Sequence, residues 1–80
     1  MRLDKYLKVS RLIKRRSVAA DAASGDRVTV NGRPAKPSYA VKTGDVIEIR
    51  FGERILKIEV TAINETAGKA DAPNMYREIV

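Results

Sequence analysis

Leu3, Tyr6 and Leu7 recur at i, i+3 and i+4, the period of one helical face, and Asp4 lies in the first turn, where the helix dipole favours a carboxylate. The spacing predicts a short helix over residues 2–9. Arg2, Lys5 and Lys8 follow at steps of three, a cationic stripe flanking the apolar face. Ser10 interrupts the pattern and opens a connector. Leu12 and Ile13 resume it, Lys14, Arg15 and Arg16 follow, and the run Val18, Ala19, Ala20, Ala22, Ala23 predicts a second helix over residues 15–24, stopped by Gly25. Its alanine face suits close approach to the first helix. Its N-terminal N–H groups, with Arg15 and Arg16 beside them, form an arrangement that attracts phosphate.

Beyond Gly25 the period changes to two. Val28 and Val30 flank Thr29, and Asn31-Gly32 supplies the two positive-φ positions of a type I′ hairpin. Pro34 and Pro37 limit the return strand from Arg33 to an edge or a short ladder. Thr43-Gly44-Asp45 marks a turn before a strand with Val46, Ile47 and Ile49, and Gly52-Glu53 separates it from another with Ile55, Leu56, Ile58 and Val60. The expected fold class is therefore α+β, two short N-terminal helices packed on a small, mostly antiparallel sheet. Residues 64–73 are small and polar, a flexible linker by composition. Residues 74–80 regain Met75, Tyr76, Ile79 and Val80 and form a tail that docks back, frays or grips a partner. The expected division is a domain over 1–63 and a linker with a tail over 64–80.

Eighty residues support one small domain, and with one Phe, three Tyr and no Trp its core is built mostly from Leu, Ile, Val and Ala. A chain near this size buries only about 60% of its unfolded surface, which favours a flat binding surface over an enclosed pocket. The lack of Cys and His excludes disulfides, zinc fingers, thiolate nucleophiles and imidazole bases, and no cofactor or metal is expected. Ser10 and Ser17 near lysines do not make a nucleophile, because no buried base or oxyanion donors accompany them. No apolar run approaches the roughly 20 residues that span a bilayer, and the N-terminus lacks a secretory stretch, so a cytoplasmic, non-enzymatic protein is expected.

The net charge of +6 is concentrated at one end. Residues 1–16 hold seven cations (Arg2, Lys5, Lys8, Arg11, Lys14, Arg15, Arg16) against Asp4 alone, while the rest of the chain balances to zero. Such a run is a solvated helix face, a membrane-surface helix or a footprint for a polyanion. Apart from Asp4, four residues before Lys8, no acid at i±4 relieves its repulsion, and the Trp and Phe of membrane helices are missing, so a polyanion is favoured. Arg2, Lys5, Arg11, Arg15 and Arg16 are the first candidates for phosphate contact and Lys8 and Lys14 the next; the arginines can bind phosphate bidentately, the lysines as point charges. Asp4 fits an intramolecular pair that orients Arg2 or a neighbouring cation. Asn31 and Gly32 are explained as hairpin-turn residues without any ligand. Tyr6 belongs to the core, and Tyr39 is open between core and base stacking.

Arg2-Leu3-Asp4-Lys5-Tyr6-Leu7, the basic step into an alanine-rich helix, Gly25 to Val30, Asn31-Gly32 and Val41-Lys42-Thr43-Gly44-Asp45-Val46-Ile47 occur in an order that resembles the RNA-binding domain named after ribosomal small-subunit protein four, the S-four domain. The resemblance implies an αL-motif fold whose helical face contacts structured RNA, with Arg2 and Arg16 foremost and, second to their turn role, Asn31 and Gly32 touching RNA backbone. One departure is Lys14 at the cap position of the second helix, where many members place Ser or Thr; a cation there weakens the cap. Val9 to Arg16, Arg50-Phe51-Gly52 and Asn74-Met75-Tyr76 are similar to the stand-alone bacterial ribosome quality control factors of the RqcP type, related to the heat-shock ribosome-associated protein of about fifteen kilodaltons. That similarity implies large-subunit rRNA, peptidyl-tRNA, the stalled large ribosomal subunit and an RqcH-like tailing factor as partners, and a monomer off the ribosome. The alternatives are a general RNA chaperone and an accessory RNA-binding subunit of an RNA-modifying enzyme.

Overall fold

The computed structural model describes residues 1–79; Val80, read with the tail from its sequence, lies outside the described residues. The apolar stripe of Leu3, Tyr6 and Leu7 forms α1 (Leu3–Val9) and is fully buried. No side chain caps its start. Backbone carbonyls do so instead, Leu3 N–H donating to Tyr39 O at 2.8 Å and Asp4 N–H to Pro37 O at 3.1 Å, which ties the 37–39 connector to the helix. The alanine run forms α2 (Arg16–Ser24), with Ala19, Ala22 and Ala23 buried as α2 packs on α1.

α2 ends at Ser24 as expected, and differs from the sequence expectation at its start and in its caps. The helix begins one residue later than predicted, and its N-cap is Arg15, in extended conformation (φ −122°, ψ 136°), rather than Lys14. At the other end Gly25 is the C-cap at φ −87°, and Asp26 takes the left-handed position at φ +60°. Asp26 N–H donates to Ala23 O at 3.2 Å and Arg27 N–H to Ala22 O at 2.9 Å, the two bonds of a Schellman motif. The motif is thus met by an aspartate, which tolerates this region better than most residues.

β1 (Val28–Val30), β2 (Arg33–Pro34), β3 (Val46–Phe51), β4 (Arg54–Val60) and β5 (Tyr76–Glu78) make an antiparallel sheet in the order β2-β1-β3-β4-β5. The Asn31-Gly32 turn has positive φ at both residues (53° and 83°), as type I′ requires, and the two-residue β2 lies at the edge where Pro34 costs no ladder bond. Alternation places Val28, Val30, Ile47, Ile49, Ile58 and Val60 in one core with the helices. Burying such a side chain contributes about 1.5–3 kcal/mol, so a thin core still holds the fold.

After residue 63 the chain returns to the core at residues 72–78. A 3-10 turn over Ala72–Met75 sets Met75 in the core, and β5 pairs with β4. The buried Tyr6 hydroxyl donates to Met75 O at 2.7 Å, joining the first helix to the docked tail. Burial, and then the neighbouring Tyr76, push the Tyr6 phenol well above its ordinary range, so it stays a donor at any physiological pH.

Candidate nucleic-acid interface

Asp4 is the hinge of the cationic end. Its carboxylate is buried and accepts Arg2 Nε at Oδ1 and Arg2 Nη2 at Oδ2, both at 3.1 Å, a bidentate fork. It also accepts Lys5 N–H at 2.7 Å, and Arg16 Nη2 stands 3.5 Å from Oδ1. One carboxylate thus joins the residue before α1 to the first residue of α2. Burial pushes the Asp4 carboxyl up, but the Arg2 and Lys5 N–H hydrogen bonds and the Arg16 and Arg2 charges outweigh it, leaving it below the ordinary carboxylate value. Arg2 and Arg16 are oriented by this pair rather than consumed by it: their side chains remain 52% and 48% exposed.

Lys5 Nζ lies 3.5 Å from Glu65 Oε1, an exposed pair that salt screens. Among the described residues, Lys8, Arg11, Lys14 and Arg15 have no carboxylate oxygen within 4 Å. Lys8, Arg11 and Lys14 converge on a cleft of about 300 Å³ whose opposite wall is Glu65, Thr66 and Ala67. The structure therefore brings all seven predicted cations onto α1, the connector and the start of α2. Seven cations against two carboxylates leave a net charge of five there.

Arg11, two residues past the end of α1, sits at φ +63°, its N–H donating to Lys8 O at 3.0 Å. A non-glycine residue in this region costs about 1–2 kcal/mol, and an arginine gains nothing locally in return. Sequence periodicity carried no sign of it, because glycine is the usual signal for that conformation. The roles of Glu65 and Thr66 were equally hidden, since the polar 64–67 stretch approaches the helices only through the docking of the tail.

Asn31 and Gly32 are not brought to this face. The Asn31 amide donates to Asp45 Oδ1 at 3.1 Å and its carbonyl accepts Val46 N–H at 2.9 Å, so its side chain is engaged inside the fold. Asp45, buried, also accepts the Tyr39 hydroxyl and Lys42 N–H at 2.9 Å each. Burial raises the Asp45 carboxyl, and the Lys42 N–H, Tyr39 and Asn31 hydrogen bonds bring it below its ordinary value. Tyr39, open from the sequence, is thus a half-buried structural tyrosine. Asn31 instead lines a groove with Arg33, Lys36 and Tyr39. No helix among the described residues is long and apolar enough to cross a membrane.

Comparison with known proteins matches residues 1–47 to the S4 domain. The chain is similar to the RQC P-site tRNA stabilizing factor of Bacillus subtilis, 49% identical over 95% of this chain and 88% of the relative. It is likewise similar to the protein of that name from Listeria innocua, 54% identical over 95% of this chain and 83% of the relative. Among solved structures it resembles Vibrio cholerae Heat Shock Protein 15, described as trimeric, with a TM-score of 0.90, 38% identity, and coverage of 99% of this chain and 81% of that one.

Proposed function

The chain belongs to the S4-domain family, alongside the stabilizing factors just described, and from that premise we propose that it is a non-enzymatic RNA-binding factor of ribosome-associated quality control. In this reading it binds large-subunit rRNA and peptidyl-tRNA on stalled large ribosomal subunits in the cytoplasm, and supports alanine tailing by an RqcH-like factor. The observation that carries the reading is the cationic face of α1, the connector and α2, where Lys8, Arg11, Lys14 and Arg15 have no carboxylate partner among the described residues. Unrelieved charge held on a rigid surface suits a polyanion, and phosphate spacing on a folded RNA is read this way without base contacts.

Arg2 and Arg16 are the front contacts, each held by Asp4 with about half its side chain free to meet a phosphate. Lys5, Lys8, Arg11, Lys14 and Arg15 surround them, while Asn31 and Gly32 lie off this face and serve the hairpin turn. The strain retained at Arg11 supports the same reading, since a glycine would relieve it and forfeit a cation. Sucrose-gradient sedimentation after induced stalling tests the proposal. Enrichment with large subunits bearing tRNA, lost in Arg2→Ala and Arg16→Ala variants, is expected. Spreading across all fractions would favour a general RNA chaperone, and co-purification with a modifying enzyme an accessory subunit.

A further inference from the structure

The alternation of β3 turns Ile47, Ile49 and Phe51 to one face of the sheet, and the first two are covered by the helices. Phe51 lies beyond the cover. It is 44% exposed, the chain's only phenylalanine, and sits at the mouth of a groove of about 320 Å³ walled by Ile13, Val18, Ala22, Arg27 and Ile49. Small Ala22 and half-exposed Val18 leave room above the aromatic face that a larger helix residue would fill. An exposed aromatic of this size costs hydration free energy without repaying it in the core.

The rim decides what fits. Arg54 is the cross-strand partner of Phe51, and Arg27 is fixed beside β3 by the bond from Arg50 N–H to Arg27 O at 2.9 Å. Among the described residues, Arg27, Arg50 and Arg54 have no carboxylate oxygen within 4 Å. The nearby acids are Glu53 in the turn and Glu78, which shares the neighbouring groove with Phe51 and Arg54 without coming within 4 Å of the arginine. Ile13 and Val18 on its wall come from the connector and the first turn of α2, the segments that also carry Lys14, Arg15 and Arg16. An aromatic face with Arg27 on its groove wall and Arg54 opposite it across the strand pair matches a nucleotide, a flat π-system with a phosphate at its edge, better than an apolar peptide.

We infer that the Phe51 groove is a second RNA contact that receives one unpaired nucleobase, stacked on Phe51 with its phosphate against Arg27 or Arg54. The inference rests on the RNA-binding reading above and extends it from phosphate spacing to the presence of an unstacked base. Duplex RNA offers no such base, so the groove selects for bulged, looped or single-stranded positions.

The test compares two RNA hairpins, one carrying a single bulged 2-aminopurine and one fully paired through its stem, each titrated with the full chain at several salt concentrations. Wild type is expected to bind the bulged hairpin more tightly and to change the 2-aminopurine emission. Phe51→Ala should lose about 5- to 100-fold on the bulged RNA and nothing on the paired one, with the salt slope unchanged because no phosphate contact is removed. Phe51→Tyr should retain binding, and Arg54→Gln should lower the slope by about 0.7–0.9. Phe51→Leu keeps apolar bulk without a π-face and should lose the bulge preference. If Phe51→Leu binds the bulged hairpin as wild type does, the groove takes aliphatic matter such as a protein segment and the inference is overturned. Equal affinity of wild type and Phe51→Ala for both RNAs overturns the inference alone. Failure of wild type to bind either RNA overturns the RNA-binding reading as well.

Discussion

The charge ledger of the cationic face yields a quantity that a binding experiment reads directly. Seven cations less the carboxylates of Asp4 and Glu65 leave five charges to meet phosphates. Each phosphate neutralised adds about −0.7 to −0.9 to the slope of log K against log salt, so wild type should show about −3.5 to −4.5 on RNA. Arg11 and Lys14 have no carboxylate partner among the described residues and are exposed, so replacing both with Gln removes two contacts and leaves the core untouched. The slope should fall to about −2 to −2.7. At about 0.15 M salt each lost contact weakens binding by about 4- to 6-fold, and the double variant by about 15- to 30-fold. Glu65→Gln should act in the opposite sense, releasing Lys5, steepening the slope by about 0.7–0.9 and tightening binding about 4- to 6-fold. Fluorescence-anisotropy titrations against a structured RNA at four salt concentrations measure both quantities. A double variant with the wild-type slope, or a Glu65→Gln variant that binds more weakly, would refute the assignment of this face.

Other consequences are equally direct. Arg11→Gly removes the left-handed strain at φ +63° and should raise Tm by a few degrees, from about 0.5–1 kcal/mol, while weakening RNA binding; calorimetry beside the same titration checks whether stability and binding part company. Tyr6→Phe deletes the buried bond to Met75 O, whose carbonyl keeps the Thr61 and Ala62 N–H donors, so the loss should be about 1 kcal/mol and about 4–8 °C in Tm, with faster proteolysis around residues 61–75. Asp4 and Asp45 have folded pKa values below their unfolded ones, so the stability they contribute is complete above the unfolded value near 3.8 and is lost as pH falls through the folded value. Acid unfolding followed by circular dichroism should therefore begin below about pH 4–5, and Asp4→Asn should flatten it. Analytical ultracentrifugation should find a monomer in the absence of RNA; a trimer, the state described for the Vibrio cholerae structure, would count against that expectation.

Much of the fold was legible because local patterns and tertiary packing agree. The i, i+3, i+4 spacing of Leu3, Tyr6 and Leu7 and the period-two runs of Val28 to Val30 and Val46 to Ile49 each mark a buried face. Asn31-Gly32 marks its turn because few other pairs adopt positive φ twice. The last residues of both helices, Val9 and Ser24, are those expected, but the left-handed positions that follow them fall on Arg11 and Asp26, where no glycine signals them. The composition of residues 64–73 pointed to a linker, yet the buried Ala72 and Met75 lie at the tail that closes the core, since a short apolar patch is recognisable only by the surface it meets.

The amino-acid order by itself determined where the cations are, which faces of α1 and the strands turn inward, and that this chain lacks the side chains for thiol or imidazole chemistry. These follow from period and residue type, which need no partner. Only the tertiary structure decided that Asp4 spans two helices to hold Arg2 and Arg16, that Asn31 and Tyr39 are claimed by Asp45, and that Glu65 confronts Lys5 from sixty residues away. Such pairings depend on distances between segments remote along the chain, and those distances exist only once the hydrophobic core has drawn the segments together.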